Sequence, residues 1–222
     1  MNKCVAVFGA GLSGRSVAKL AKSEGHNVTI FDEKIGWKNN FCKSDVACFH
    51  DFVFSPGFPK NHPWRVILSG HESLYGELGY AAERWKGKVF AVTGTNGKTT
   101  VSRLLKEALC ASGLEAYIAG NIGLPFSDLV NSTANHKHAI VVCEISSFQA
   151  EITKGLSLDA LIWTNFAEDH LDRYGNLEEY FQCKFALFSC LKKQPTICIG
   201  ENLLEFKSAN FWRTHGAKII KV

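Results

Sequence analysis

Two glycine-punctuated stretches carry residue types suited to holding phosphate. The first, Gly9-Ala10-Gly11-Leu12-Ser13-Gly14, is a complete G-x-G-x-x-G directly after the apolar run 3–8. The next apolar run, 27–32, ends in Asp32, where the dinucleotide-binding pattern places an acid. The glycines permit a tight turn and a close backbone approach. A helix starting at Ser13 offers unpaired N–H groups and partial positive charge to a diphosphate. The Asp32 carboxylate can accept from a ribose hydroxyl or from a base N–H. A turn that serves only strand–helix packing would use the same glycines. The second stretch, Gly94-Thr95-Asn96-Gly97-Lys98-Thr99-Thr100, follows the apolar run Val89-Phe90-Ala91-Val92. Only Thr95 and Asn96 separate its glycines, whereas a Walker loop has four residues there. The parts are nonetheless those of a phosphate cradle: loop N–H groups, Lys98 as a point charge for the β/γ end, and a Thr99 hydroxyl able to hold Mg²⁺, with Thr100 extending the hydroxyl row.

Acids and amides follow where such a loop would need them. Glu144 closes the apolar run 139–144, and ligands in open α/β sheets bind beyond the carboxyl ends of strands. Glu144 therefore falls on the same rim as the 94–100 loop, as a metal ligand or as a helix N-terminal acid. The segment Asn165-Phe166-Ala167-Glu168-Asp169-His170-Leu171-Asp172-Arg173-Tyr174 follows the run 159–163 and reaches that rim too. A lone histidine is more often structural, but converging polar groups mark sites.

The elements that must position these residues alternate along the chain. Strands are expected at 3–8, 27–32, 51–54, 64–68, 88–93, 115–118, 139–144, 159–163, 195–199 and 217–222. Helices are expected at 13–24, 72–85, 98–112, 124–131, 147–153, 176–190 and 201–209. Near-continuous Val, Ile, Phe and Ala runs are those of buried parallel strands, so the fold class is α/β. The polar stretch ERWKGK marks a boundary near Gly87, and each side opens with its own strand–glycine turn–helix unit. This gives a Rossmann-like domain over 1–87 and a second domain over 88–222.

The composition, 46% hydrophobic and 21% charged, is that of an ordinary globular protein. The net charge of +4 is spread out, so no nucleic-acid groove is indicated. Eight cysteines include no C-x-x-C pair, and they read as buried free thiols in a reducing compartment. No run reaches the length of a membrane span. The opening residues form a first strand and turn rather than a signal peptide, so a cytoplasmic location is expected. Oligomeric state is not legible.

The words TGTNGKTT, GNIG (120–123), EISSFQ (144–149) and NFAEDHLDRYG (165–175), followed by the lysine of CKFALF (183–188), together resemble the Mur ligases. SSFQ with EDHLDRY resembles the D-glutamate-adding branch of that family. The shortened loop is then a family mark, and the second domain a P-loop-type Mur ligase central domain with a mainly parallel sheet. The resemblance implies ATP-dependent amide synthesis through an acyl phosphate, with UDP-N-acetylmuramoyl-L-alanine, D-glutamate and ATP as small-molecule substrates and two Mg²⁺ sites. It implies that Gly94, Thr95, Asn96, Gly97, Lys98, Thr99 and Thr100 bind ATP. Thr99 and Glu144 would hold one Mg²⁺, and His170 the second with Lys184 as a carbamate. Asn121 would meet the substrate's acyl end. Gly11, Leu12, Ser13, Gly14, Asp32 and Gly57 would hold the uridine diphosphate. Without the resemblance, Lys184 reads as a surface lysine on a helix face.

The resemblance covers nearly the whole chain and stops inside the family's second domain. A later G-x-H-N element and a C-terminal domain have no counterpart here, so the central domain is expected to be incomplete. Two readings stand: a ligase, or a nucleotide-binding remnant with little or no turnover on its own. An oxidoreductase drawn from the first glycine turn alone leaves TGTNGKTT and EDHLDRY unexplained.

Overall fold

The computed structural model describes residues 2–34 and 36–220. They form two compact units. The first comprises residues 1–85, 124–135 and 152–156, and the second residues 86–123, 136–151 and 157–222. Each contains one sheet, and every strand pairing described is parallel. Among the described residues no helix is long and apolar enough to cross a membrane.

In the first unit, strands β1 (Cys4–Phe8), β2 (Asn27–Phe31), β3 (Asp51–Phe54) and β4 (Leu74–Gly76) lie in the order β2-β1-β3-β4. Helix α1 (Leu12–Ser23) connects β1 to β2. Parallel register sets Phe31, Phe8 and Phe54 side by side across three strands. Phe8 stacks on Phe54 at 4.1 Å and on Phe31 at 5.4 Å, and Phe41, Phe52 and Trp64 complete this buried aromatic layer.

Two expectations fail in this unit. Residues 64–68 are not a strand: helix α2 (Pro63–Ile67) occupies them. Pro63 supplies a preset first helical turn, and the His62 ring accepts the Trp64 N–H as a cap. The helix expected over 72–85 splits into β4 and the short helix α3 (Glu77–Ala82), because Gly76 is extended. A Cβ on Gly79 would lie 1.7 Å from the carbonyl of Lys154, so residues 152–156 pack directly on the α3 backbone.

In the second unit, β5 (Lys88–Thr93) leads through the glycine loop into α4 (Lys98–Ala111), then β6 (Ala116–Gly120). Helix α5 (Phe126–Val130) belongs to the first unit, where it packs on α1 and α3. Then come β7 (Ile140–Glu144), α6 (Ser147–Ala150), β8 (Leu158–Trp163), α7 (Leu177–Phe185), β9 (Leu191–Gly200), α8 (Ala209–Thr214) and β10 (Ala217–Ile220). The sheet order is β10-β9-β8-β5-β7-β6. The chain therefore leaves β5 toward one side and returns at β8 on the other, a switch point at the carboxyl end of β5.

The helix expected over 201–209 is a 3₁₀ turn at 201–205, and α8 begins only after Ser208, whose hydroxyl caps Phe211 N–H. The expected helix over 176–190 is α only as far as Phe185 and 3₁₀ beyond it. Residues 221–222 of the last expected strand lie outside the described residues. The cysteines are all free, but Cys42, Cys48 and Cys110 are exposed rather than buried. Cys42 caps and Cys48 ends a surface 3₁₀ turn over 43–48, and Cys110 lies near the end of α4.

Candidate functional site

The glycine loop is shaped by backbone conformations that side chains resist. Gly94 has φ +148° and Gly97, the cap of α4, has φ +75°. A Cβ on Gly94 would meet Thr164 Oγ1 at 2.0 Å. The neighbouring strand end laces the loop: Thr95 N donates to Asn165 O (3.1 Å), Asn96 N to Asn165 Oδ1 (2.8 Å), and Thr164 Oγ1 to Asn96 O (2.7 Å). Past that lacing, the backbone N–H groups of Gly97, Lys98, Thr99 and Thr100 have no partner among the described residues. They crown a helix of fourteen residues with no acid in its first turn, an arrangement suited to an anion.

Two lysines meet at one carbonyl. Lys98 Nζ donates to Gly94 O (3.0 Å) and Thr95 O (2.8 Å), and Lys184 Nζ donates to Gly94 O (2.8 Å). Lys184 lies on α7 and is only 1% exposed, not the surface lysine that its helix position alone suggests. Burial, and secondly the charge of Lys98, lower its pKa to about 7. Its ammonium also lies 4.9 Å from the Tyr180 ring centre.

Glu144, at the end of β7, is 1% exposed. Its oxygens accept from Thr99 Oγ1 (2.9 Å) and Asn121 Nδ2 (2.8 Å), and Asn121 N donates to its carbonyl. No cation pairs with it among the described residues. A buried carboxylate flanked by a hydroxyl and an amide, without counter-charge, is a donor set that fits a hard divalent cation. The expected residues Lys98, Thr99, Asn121, Glu144 and Lys184 thus gather around the loop.

His170 lies on the following segment with φ +51°, its ring 3.3 Å from Asp169 Oδ2 and 4.7 Å, centre to centre, from the Phe148 ring. It shares Tyr180 as a neighbour with Lys184 and Thr95. The segment is pinned by Arg173, which forms a two-bond ion pair with the buried Glu151, as Tyr174 OH also donates to Glu151. Thr164, Tyr180, Glu151 and the gripping role of Asn165 escape a linear reading, because their partners lie far away in sequence.

The first unit holds the other glycine turn. Gly9 has φ +106°, and a Cβ on Gly14 would lie 1.8 Å from Gly9 O. Asp32 accepts Ala10 N (2.6 Å) and Lys34 N (2.9 Å). The Ala10 bond above all holds its carboxyl below the usual range. The N–H groups of Leu12, Ser13 and Gly14 have no partner among the described residues. Leu12 is 69% exposed, and space is open at Gly11 and Gly57. The buried Ser55 Oγ, 2.6 Å from where a Gly9 Cβ would stand, has no hydrogen-bond partner among the described residues.

Comparison with known proteins gives these arrangements a family. Residues 92–220 match the Mur ligase middle domain. UDP-N-acetylmuramoylalanine--D-glutamate ligase of Aquifex aeolicus (strain VF5) is 34% identical over 205 residues, covering 90% of this chain and 48% of that protein. The protein of the same name from Protochlamydia amoebophila (strain UWE25) is 32% identical over 223 residues, covering 91% and 48%. The chain spans about half the length of the curated relatives it matches. Two solved structures share the fold. The UDP-N-acetylmuramate:L-alanyl-gamma-D-glutamyl-meso-diaminopimelate ligase of Neisseria meningitides aligns with a TM-score of 0.56 at 17% identity, over 100% of this chain and 78% of that one. MurF ligase of Thermotoga maritima, in complex with ADP, aligns at 0.53 and 15% identity, over 99% and 47%. With its middle-domain match extending over more than half its length, and with the shortened loop, the buried acid and the lysine in place, the chain belongs to the Mur ligase family.

Proposed function

We propose that the chain carries the nucleotide-handling part of an ATP-dependent ligase that joins D-glutamate to UDP-N-acetylmuramoyl-L-alanine in peptidoglycan precursor synthesis. The observation that carries this reading is the convergence of Lys98 and Lys184 on Gly94 O, beside a row of open N–H groups and the buried Glu144–Thr99–Asn121 set. The names of the relatives at 31–35% identity support the choice of substrates. A reaction that consumes ATP and a UDP-linked precursor belongs in the cytoplasm.

In this reading residues 94–100 bind the ATP phosphates. On swinging away from the loop carbonyls, Lys98 meets the β/γ end. The substrate carboxylate attacks the γ-phosphorus, and the bond to the β–γ bridging oxygen breaks, leaving ADP and an acyl phosphate. The amine of D-glutamate then attacks the acyl carbon, phosphate departs, and the amine nitrogen loses a proton. Charge on the transferring group is offset by loop N–H groups and Lys98. Bound Mg²⁺ would add neutralisation of that charge, with Thr99 and Glu144 holding one ion, and His170 and Lys184 the other.

Lys184 serves in this way as a carbamate: its neutral amine adds to CO₂, an N–C bond forms and one proton leaves. Burial and the nearby Lys98 favour the neutral amine that this step needs. Asn121 releases Glu144 to meet the acyl end of the substrate. In the first unit, Gly11, Leu12, Ser13, Gly14 and Gly57 hold the uridine diphosphate, with Asp32 bracing the turn.

The test is phosphate release in ATP, Mg²⁺, UDP-N-acetylmuramoyl-L-alanine and D-glutamate, with binding of each ligand measured alongside. Release or ATP binding that requires Lys98 supports the reading. ATP hydrolysis indifferent to the UDP substrate, or unchanged in Lys98→Ala, contradicts it.

A further inference from the structure

The β8–β9 ladder ends at the pair Trp163–Ile199, just before the segment that grips the glycine loop. A Cβ on Gly200 would lie 1.9 Å from Thr164 O, so the two backbones touch there. Beyond Gly200 the chain turns into the 3₁₀ turn 201–205. Asn202 fills the place of the missing backbone partner with its side chain. Its Oδ1 accepts Phe166 N (3.3 Å), and its Nδ2 donates to Phe166 O (2.9 Å). One amide thus uses both its donor and its acceptor on one residue, as a peptide does in a ladder.

The adjacent residue repeats the device in the other direction. Asn165 Oδ1 accepts Asn96 N (2.8 Å), and its Nδ2 donates to Asn96 O (3.0 Å). Ala167 N also donates to Thr95 Oγ1 (3.1 Å). Segment 164–167 is therefore stitched to the loop on one side and to Asn202 on the other. The Phe166 ring is held edge-on against Phe206 at 4.6 Å.

We propose that Asn202 is a positioning residue for the nucleotide loop, acting through Phe166 and Asn165 on Asn96. This rests on the reading of residues 94–100 as the ATP cradle. An aspartate of the same shape cannot replace it, because an oxygen would then face Phe166 O.

The test compares wild type, Asn202→Ala and Asn202→Asp by site-resolved hydrogen exchange, melting temperature and titration with ADP·Mg²⁺. In both variants the Asn96 and Phe166 amides are expected to exchange about tenfold faster or more, with the β5 and β7 amides unchanged. The ADP dissociation constant is expected to rise about tenfold. Faster exchange confined to Phe166, with Asn96 and ADP affinity unchanged, overturns the proposal. So does a uniform loss of protection across the second unit, which is mere destabilisation. If Asn202→Ala does not fold, Asn202→Asp decides. A wild type that fails to bind ADP defeats the ATP reading alone, because exchange at Asn96 still decides the relay.

Discussion

The two glycine turns begin alike and use their acids in opposite ways. In the first unit Asp32 gives both oxygens to backbone N–H groups, one of them from the turn itself at Ala10. Its charge is bound up in holding the turn. In the second unit the Glu144 carboxylate accepts from side chains, Thr99 and Asn121, and among the described residues no backbone N–H of the loop reaches it. The loop is held instead by a neutral amide, Asn165. Each turn also has a cation on a carbonyl: Arg15 at Ala10 O, two lysines at Gly94 O. A turn braced by its own acid can hold a diphosphate that stays unchanged. One that leaves its acid and two amines for the ligand can manage charge that moves.

This contrast sets the order of expected effects. Lys98→Ala is the largest: any ATP-dependent step should fall by about a hundredfold or more. Turnover that survives intact would erase the distinction between the turns. Gly14→Ala comes next. With a Cβ forced to within 1.8 Å of Gly9 O, the first unit should lose about 3 kcal/mol in urea denaturation, and a change within error would show that the turn relaxes freely.

Glu77 supplies a pH-dependent control in the same unit. This fully buried acid at the start of α3 accepts both N–H and O–H of Ser127. Burial pushes its pKa up from 4.5 to about 7. A raised folded value means that its stability contribution is complete below pH 4.5 and is lost as pH rises through about 7. Glu77→Gln should therefore gain stability over wild type at pH 8, by about 2 kcal/mol, and little at pH 5. Equal curves at both values would refute the buried-acid account.

Asp32→Asn is the smallest effect, about 1 kcal/mol from weakened charge-assisted bonds. Because the folded pKa of Asp32 is lowered, its contribution is present above the unfolded value and disappears as pH falls through the folded one. The variant should match wild type in strong acid and fall below it at neutral pH.

The strands bearing the site were legible because buried parallel strands announce themselves as apolar runs, and both turns because glycine and lysine spacing is local. Lys98 and Glu144 followed from strand ends alone. What stayed hidden depends on distant partners. Trp64, Val66 and Ile67 read as a strand until Pro63 and the His62 cap make them a helix. Phe126 and Leu129 read as part of the second domain but are buried in the first unit, where Ser127 meets Glu77. Lys184 reads as a surface residue on its helix position alone and enters the site only through the family resemblance; its burial on Gly94 O depends on a partner ninety residues away. Asn202 carried no signal of its role: it read as part of a helix over 201–209, and its partner Phe166 lies thirty-six residues away.

The central claim is that residues 94–100 cradle the phosphates of ATP with Lys98 as their charge partner. Calorimetric titration of ATP·Mg²⁺ into wild type and Lys98→Ala tests it most directly. Saturable binding to one site in wild type, weakened at least about a hundredfold in the variant, is the predicted result. Equal affinity in the two proteins, or no binding to a folded wild type, would contradict it.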